Sequence, residues 1–202
     1  RISLTNYIGI IDYGVGNIFS IQRCLLDAGI SNKVITNENE INDASLLIMP
    51  GVGNFDDVIN KFRKYIYFDH INNLVLKDKK PILGICVGMQ MMCNESLEGD
   101  SKGLGWIENS KVTPFKNSIF RTNIGPKKVD FENSYLDGNY YFLHSFKCEV
   151  PDEYVIATSN YGGIFNCGFR KNNIIGIQFH PEKSHQNGLN LFKYFYEEFK
   201  AQ

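Results

Sequence analysis

The sequence predicts an α/β fold of three layers: a parallel sheet covered on both faces by helices, with an antiparallel addition in the second half. Three observations predict it. Short apolar runs alternate with helix-period segments up to about residue 92. Turn residues such as "YGVGN" and "DAG" separate them. Beyond residue 103 the pattern changes to closely spaced strand-like runs, ending in one helical segment.

In chain order, "YIGIID" is a short apolar strand, and "YGVGN" turns into "IFSIQRCLLDAG". There Ile18, Ile21, Leu25 and Ala28 follow helical spacing, and Gly29 closes the helix. "NKVIT" and "SLLIMP" are strands, "FDDVINKFRKYI" and "YFDHINNLVLKD" are helices, and "PILGIC" is a fourth, buried strand. Such strand–helix units give a parallel sheet with ligands at the carboxyl ends of its strands. In the second half "WIENSKVTPF", "PKKVDF", "YYFLHSF", "YVIATSNYGG" and "IFNCGFRKNNIIGIQFHP" read as strands, with a hairpin turn through Asn172 and Asn173. In "GLNLFKYFYEEF", Leu189, Phe192, Phe195 or Tyr196, and Phe199 mark one helical face. No repeat, low-complexity tract or linker interrupts the pattern, so residues 1–202 are expected to form one domain.

Bulk properties narrow the function. With 21 basic and 22 acidic residues the net charge is -1, which argues against nucleic acid as a partner. Cys24, Cys86, Cys93, Cys148 and Cys167 are odd in number and irregularly spaced, unlike a secreted disulfide framework, and no CxxC pair suggests zinc. The opening "RISLTNYIGIIDYG" lacks a long apolar leader-like run. No stretch reaches the roughly 20 apolar residues that span a bilayer. These features predict a cytoplasmic chain that binds no membrane, metal or cofactor.

"GICVGMQ" carries the chemistry. Gly84-x-Cys86-x-Gly88 is the thiol counterpart of the G-x-S-x-G elbow, in which a strained strand-to-helix turn lifts a nucleophile above the sheet. The helix-period residues that follow put Cys86 at a helix N-terminus, where orphan N–H groups favour a thiolate. The N–H of Val87 then points at an anion beside the sulfur. A plain buried cysteine in a tight turn is the competing reading.

Of the four histidines, His70 is expected on a helix surface and His185 in a polar turn, while His144 alternates within an apolar strand. His180 directly follows the apolar strand "IIGIQF", and Glu182 can accept its imidazole N–H. An ordinary strand end, or a metal set of His180, Glu182 and His185, are the alternatives; Pro181 prevents the helical HExxH geometry. The third element is "MPGVGNF", whose Gly51, Val52 and Gly53 expose backbone N–H groups at another strand end, suited to an oxyanion hole or an anion nest.

Six stretches in order, "IDYGVGN", "MPGVGNF", "PILGICVGMQ", "GLGWI", "YYFLHSF" and "GIQFHPEKS", together resemble the class I (triad) glutamine amidotransferase family. Within it they resemble the glutaminase subunits of the imidazole glycerol phosphate synthase kind and their paralogues. The resemblance implies that family's mostly parallel three-layer sheet and a catalytic triad of Cys86, His180 and Glu182. It further implies an oxyanion hole of Gly51, Val52, Gly53 and Val87, and L-glutamine binding by Gln90, Glu98, His144, Ser145 and Phe146. Family members more often have Tyr where Phe146 stands. The implied partner is a (β/α)8-barrel cyclase or synthase subunit in a heterodimer, with the oxyanion loop completed once that subunit is docked and ligated. A Pro-His-x-Gly-Trp-Asn-like stretch usually faces the barrel; here Asn123, Gly125, Pro126 and Lys127 fall in that stretch, with Pro and Lys where Trp and Asn are expected. A paralogue feeding ammonia to a sugar-modifying amidotransferase of surface-polysaccharide synthesis, a stand-alone cysteine hydrolase and a binding module are the alternatives.

Overall fold

The computed structural model describes residues 6–115 and 122–200. The first half runs β1 (Ile8–Ile10), α1 (Ile18–Asp27), β2 (Asn32–Val34), α2 (Glu38–Asp43), β3 (Leu46–Met49), α3 (Phe55–Arg63), α4 (Phe68–Leu76), β4 (Ile82–Ile85) and α5 (Val87–Met91). The second half adds β5 (Glu95–Ser96), β6 (Lys111–Pro114), β7 (Asn123–Phe131), β8 (Gly138–His144), β9 (Phe146–Glu149), β10 (Val155–Asn160), β11 (Ile164–Lys171), β12 (Ile174–Ile177) and α6 (His185–Phe199).

Nine strands form the main sheet in the order β2-β1-β3-β4-β12-β11-β10-β7-β8. From β2 to β12 all pairings are parallel; from β12 to β8 all are antiparallel. The expected parallel sheet with an antiparallel addition is thus one continuous sheet, joined where β12 pairs with both β4 and β11. A small second sheet holds β5, β6 and β9. Every residue of β1, β3, β4 and β12 is buried. Strands apolar on both faces need cover on both faces. In that cover α1 packs against α6, and α3 against α5.

The helix boundaries follow their capping residues. Asn17 accepts from the Ser20 N–H at the start of α1, Asn37 from Glu40 at α2, and Asn54 from Asp56 at α3. Helix α3 also sets Asp56 and Asp57 in its first turn and Lys61 and Arg63 in its last, complementing its dipole. Gly29 follows α1 at φ 73, as its stop signal requires. Of the terminal helix, Leu191, Phe192, Phe195 and Phe199 are buried, whereas Tyr196 is half-buried and its hydroxyl donates to the Asn6 carbonyl at 2.9 Å.

Several elements differ from the sequence reading; β5 (Glu95–Ser96) carries no strand signal there, and of "WIENSKVTPF" only Lys111–Pro114 is a strand. Helix α2 occupies "ENEIND", which lacks an apolar face and carries only its cap as a signal. "YYFLHSF" is two strands: the chain leaves the main sheet after His144 and enters the small one at Phe146. His185 opens α6, at φ 50, instead of lying in a loop.

Candidate active site

Cys86 stands between the end of β4 and the start of α5 with φ 57 and ψ -112. A residue with a Cβ is strained there by about 1–3 kcal/mol, so the turn persists only because its surroundings hold it. The flanking glycines show how. A Cβ on Gly88 would lie 2.1 Å from the Met49 carbonyl oxygen, and one on Gly84 would lie 2.7 Å from that of Gly88. The backbones of β3, β4 and α5 therefore touch around the cysteine, which explains why its neighbours must be small.

The sulfur is buried, with the Leu143 carbonyl oxygen and the Gln178 Nε2 each 3.8 Å away. His180 enters from the segment after β12, its backbone N–H donating to the Tyr141 carbonyl at 2.8 Å. Its Nδ1 lies 2.8 Å from Glu182 Oε1, and both side chains are almost wholly buried. A carboxylate can only accept, so Nδ1 carries the proton. Nε2 remains for the Cys86 side chain. Burial opposes charge on this imidazole, but the Cys86 side chain and the Glu182 carboxylate outweigh it and lift His180 to about 10. His185, weighed with these two as a metal set, lines a second pocket beside α1, which Glu182 shares and His180 does not. Among the described residues no group of three or more His, Cys, Asp or Glu side chains is placed to hold a metal ion.

A cleft of 230 Å³ opens on the sulfur, and its walls include Val52, Gly53, Val87, Gln90, Glu98, His144, Ser145, Phe146 and His180. Gln90 is buried and donates through Nε2 to the Phe146 carbonyl at 3.1 Å. Burial raises the Glu98 carboxyl above the usual range, and the Phe55 N–H, donating at 3.2 Å, offsets part of that. His144 is held neutral, lowered to about 4 by burial, with Nδ1 donating to the Phe146 carbonyl at 2.7 Å. The hydroxyls of Ser145 and Thr122 lie 2.9 Å apart.

The glycine loop packs against the start of α5. The Val87 N–H, expected to point at an anion, donates to the Gly51 carbonyl at 3.2 Å. At the start of α5 this N–H has no intrahelical acceptor, and the Gly51 carbonyl satisfies it. Gly51 comes that close because it lacks a side chain: a Cβ on it would lie 2.4 Å from the Gly88 nitrogen. Gly53, at φ 111, and Val52 are exposed.

The edge expected to face a partner is divided. Asn123 is fully buried, because its Nδ2 donates to His144 Nε2 at 3.0 Å, and so it offers no surface. Pro126 is exposed, while Gly125 and Lys127 are half-buried. Sequence reasoning missed Thr122 and Leu143 in the cleft wall, and Gln178 behind the sulfur. Gln178 alone had a signal, a large polar side chain inside the apolar run that leads to His180.

Residues 9–198 match the family described as "Glutamine amidotransferase class-I". The chain belongs to the class-I glutamine amidotransferases. It is 42% identical to the imidazole glycerol phosphate synthase subunit HisH of Leptospira interrogans, covering 93% of this chain and 98% of that one. Identity is 40% to the subunit of the same name from Bdellovibrio bacteriovorus (94% and 99% covered) and 37% to subunit HisH 2 of Pseudomonas aeruginosa (93% and 98%). The same class-I fold appears in the structure of PurLQS from Thermotoga maritima, with a TM-score of 0.73 at 17% identity, covering 96% of this chain and 98% of that one. A glutamine amidotransferase from the same organism gives 0.60 at 19%, covering 97% and 86%.

Proposed function

We propose that this class-I glutamine amidotransferase is the glutaminase subunit of imidazole glycerol phosphate synthase, releasing ammonia from L-glutamine for a cyclase subunit in histidine biosynthesis. Its relatives at 37–42% identity carry that name over nearly their whole length. The observation that carries the chemistry is the row Cys86–His180–Glu182 opening on a cleft walled by Gln90 and Glu98.

In this reading the Cys86 thiolate attacks the glutamine amide carbon, and the His180 imidazolium protonates the departing ammonia. The neutral ring then takes a proton from water, which hydrolyses the glutamyl thioester to glutamate. Glu182 holds the ring in the tautomer that leaves Nε2 for these transfers. Glu98 receives the substrate's α-ammonium, whose charge offsets the cost of the buried carboxylate. Gln90 and the Ser145–Phe146 backbone hold the rest of the amino-acid end. The oxyanion needs the Val87 N–H, so the Gly51 carbonyl must turn away first; docking of a ligated (β/α)8-barrel subunit in a heterodimer supplies that change.

Pro126 and Lys127 at the docking edge favour one second reading, a paralogue serving a sugar-modifying amidotransferase. One experiment separates the two. Glutamate release is measured with the cyclase or with the sugar-modifying enzyme, each with its acceptor, using Cys86→Ala as control. Cys86-dependent release that rises with the cyclase supports the first reading. A rise with the sugar-modifying enzyme alone supports the second, and equal release without any partner overturns both.

A further inference from the structure

We infer that Gln178 is a positioning residue of this site: it holds Gln90 with its carbonyl oxygen turned to the cleft and sets an amide N–H on the Cys86 sulfur. The inference rests on the proposed glutaminase reading for what the cleft binds.

Gln178 lies where the chain runs from β12 to His180 and is fully buried. A primary amide buried among apolar side chains is costly unless its polar atoms are satisfied. Here both ends are engaged: Oε1 accepts from Gln90 Nε2 at 3.2 Å, and Nε2 donates to Cys86 Sγ at 3.8 Å. Its own backbone N–H donates to the Cys167 carbonyl at 2.9 Å, which anchors the residue to β11.

The orientation of each amide follows from its neighbour. The Phe146 carbonyl is only an acceptor, and it receives both His144 Nδ1 and Gln90 Nε2. Gln90 must therefore present its NH2 group inward, one hydrogen to Phe146 and the other to Gln178. That leaves Gln90 Oε1 as the acceptor a ligand in the cleft can use. Gln178 must then offer Oε1 to Gln90, so its own NH2 faces the sulfur. Without Gln178 the Gln90 amide has one fixed partner instead of two, and the sulfur loses an N–H donor.

Two variants and two readouts test this. Kinetics of glutamate release use the full chain with its synthase subunit and acceptor. Alkylation of Cys86 by iodoacetamide at pH 7, followed by peptide mass spectrometry, uses the chain alone. Gln178→Met removes both contacts at similar size; the expected result is a KM for glutamine about tenfold higher, the effect of one lost hydrogen bond, with a smaller change in kcat and several-fold slower alkylation. Gln178→Glu keeps the acceptor for Gln90 but sets a carboxylate against the sulfur. Its KM is expected to stay within about twofold of wild type while alkylation slows more than in the Met variant. A folded Met variant with wild-type KM and alkylation rate overturns the inference, as does an equal rise in KM in both variants. Should the Met variant fail to fold, the split between KM and alkylation in the Glu variant decides. Wild-type protein that releases no glutamate with any partner would sink the glutaminase reading; the alkylation contrast would still judge the contact between Gln178 and Cys86.

Discussion

The Val87 N–H donates to the Gly51 carbonyl oxygen at 3.2 Å, so the amide directly after the elbow cysteine is engaged by the chain's own backbone. An oxyanion donor is worth about 10²–10³ in rate. The isolated chain is therefore expected to release glutamate at least about 100-fold more slowly than the complex with a ligated synthase subunit. Steady-state glutamate assays of both forms check this, and equal rates would mean that the oxyanion is held by other donors.

The backbone at Cys86 predicts an inverted substitution order. At φ 57 and ψ -112 glycine is at ease and alanine is not. Cys86→Gly should abolish activity yet melt above Cys86→Ala, by about 1 kcal/mol of stability. Thermal unfolding of the two inactive variants tests it. The usual order, alanine above glycine, would show that the turn relaxes when the sulfur is removed.

Gly88→Ala brings a methyl carbon to 2.1 Å from a backbone oxygen of the neighbouring strand, which no rotamer can relieve. The expected loss is about 3 kcal/mol, or roughly 6–12 °C in Tm for a chain of this size. Calorimetry that finds less than half of that would mean α5 can slide away from β3.

His144 is buried neutral at about 4, below its ordinary value of 6.5. The unfolded chain therefore binds a proton that the folded chain refuses as the pH falls. Its contribution to stability is complete above about pH 6.5 and is lost progressively toward pH 4, on the order of 3 kcal/mol at pH 4. Urea midpoints measured from pH 7 to 4 should fall more steeply for wild type than for His144→Gln. Parallel curves would place the acid sensitivity elsewhere.

His180 has the opposite sign. Its value is raised to about 10, so the stability it contributes is full below about pH 6.5 and lost as the pH rises through 10. Glu182→Gln removes one of the two groups that favour the imidazolium. It should flatten this alkaline loss and lower kcat by about 10²–10⁴ with little change in KM. Stability curves from pH 7 to 11 together with kinetics separate this from a general packing defect, which would lower stability at every pH.

The elements readable from the sequence were those that announce themselves locally. The apolar runs of β1, β3 and β4 and the stop at Gly29 each act within a few residues, and so do the two glycines around Cys86. Pairing between distant strands does not act locally. Nothing in "YYFLHSF" marks Ser145 as the point where one sheet is exchanged for another, because both halves carry the same aromatic pattern. Asn123 looked like a surface residue for the same reason: its neighbour His144 is 21 positions away. The carbonyl direction at Gly51 is a matter of one peptide plane, which glycine leaves free. Gln178 was overlooked because a single buried amide has meaning only beside the two side chains it joins.

The contact between Tyr141 and His180 bears on the outer margin of the molecule. Strand β8 ends the nine-stranded sheet, and outer strands with open N–H and C=O groups invite pairing with other chains. At Tyr141, opposite Pro126 on β7, the backbone turns those groups outward, where the His180 N–H and the Ser184 hydroxyl take them at 2.8 and 3.0 Å. Pro126 has no N–H to give, so its presence opposite costs the ladder nothing. The segment that carries the base therefore also caps a sticky edge. Variants that loosen residues 180–184 should be recognised by aggregation as readily as by lost turnover.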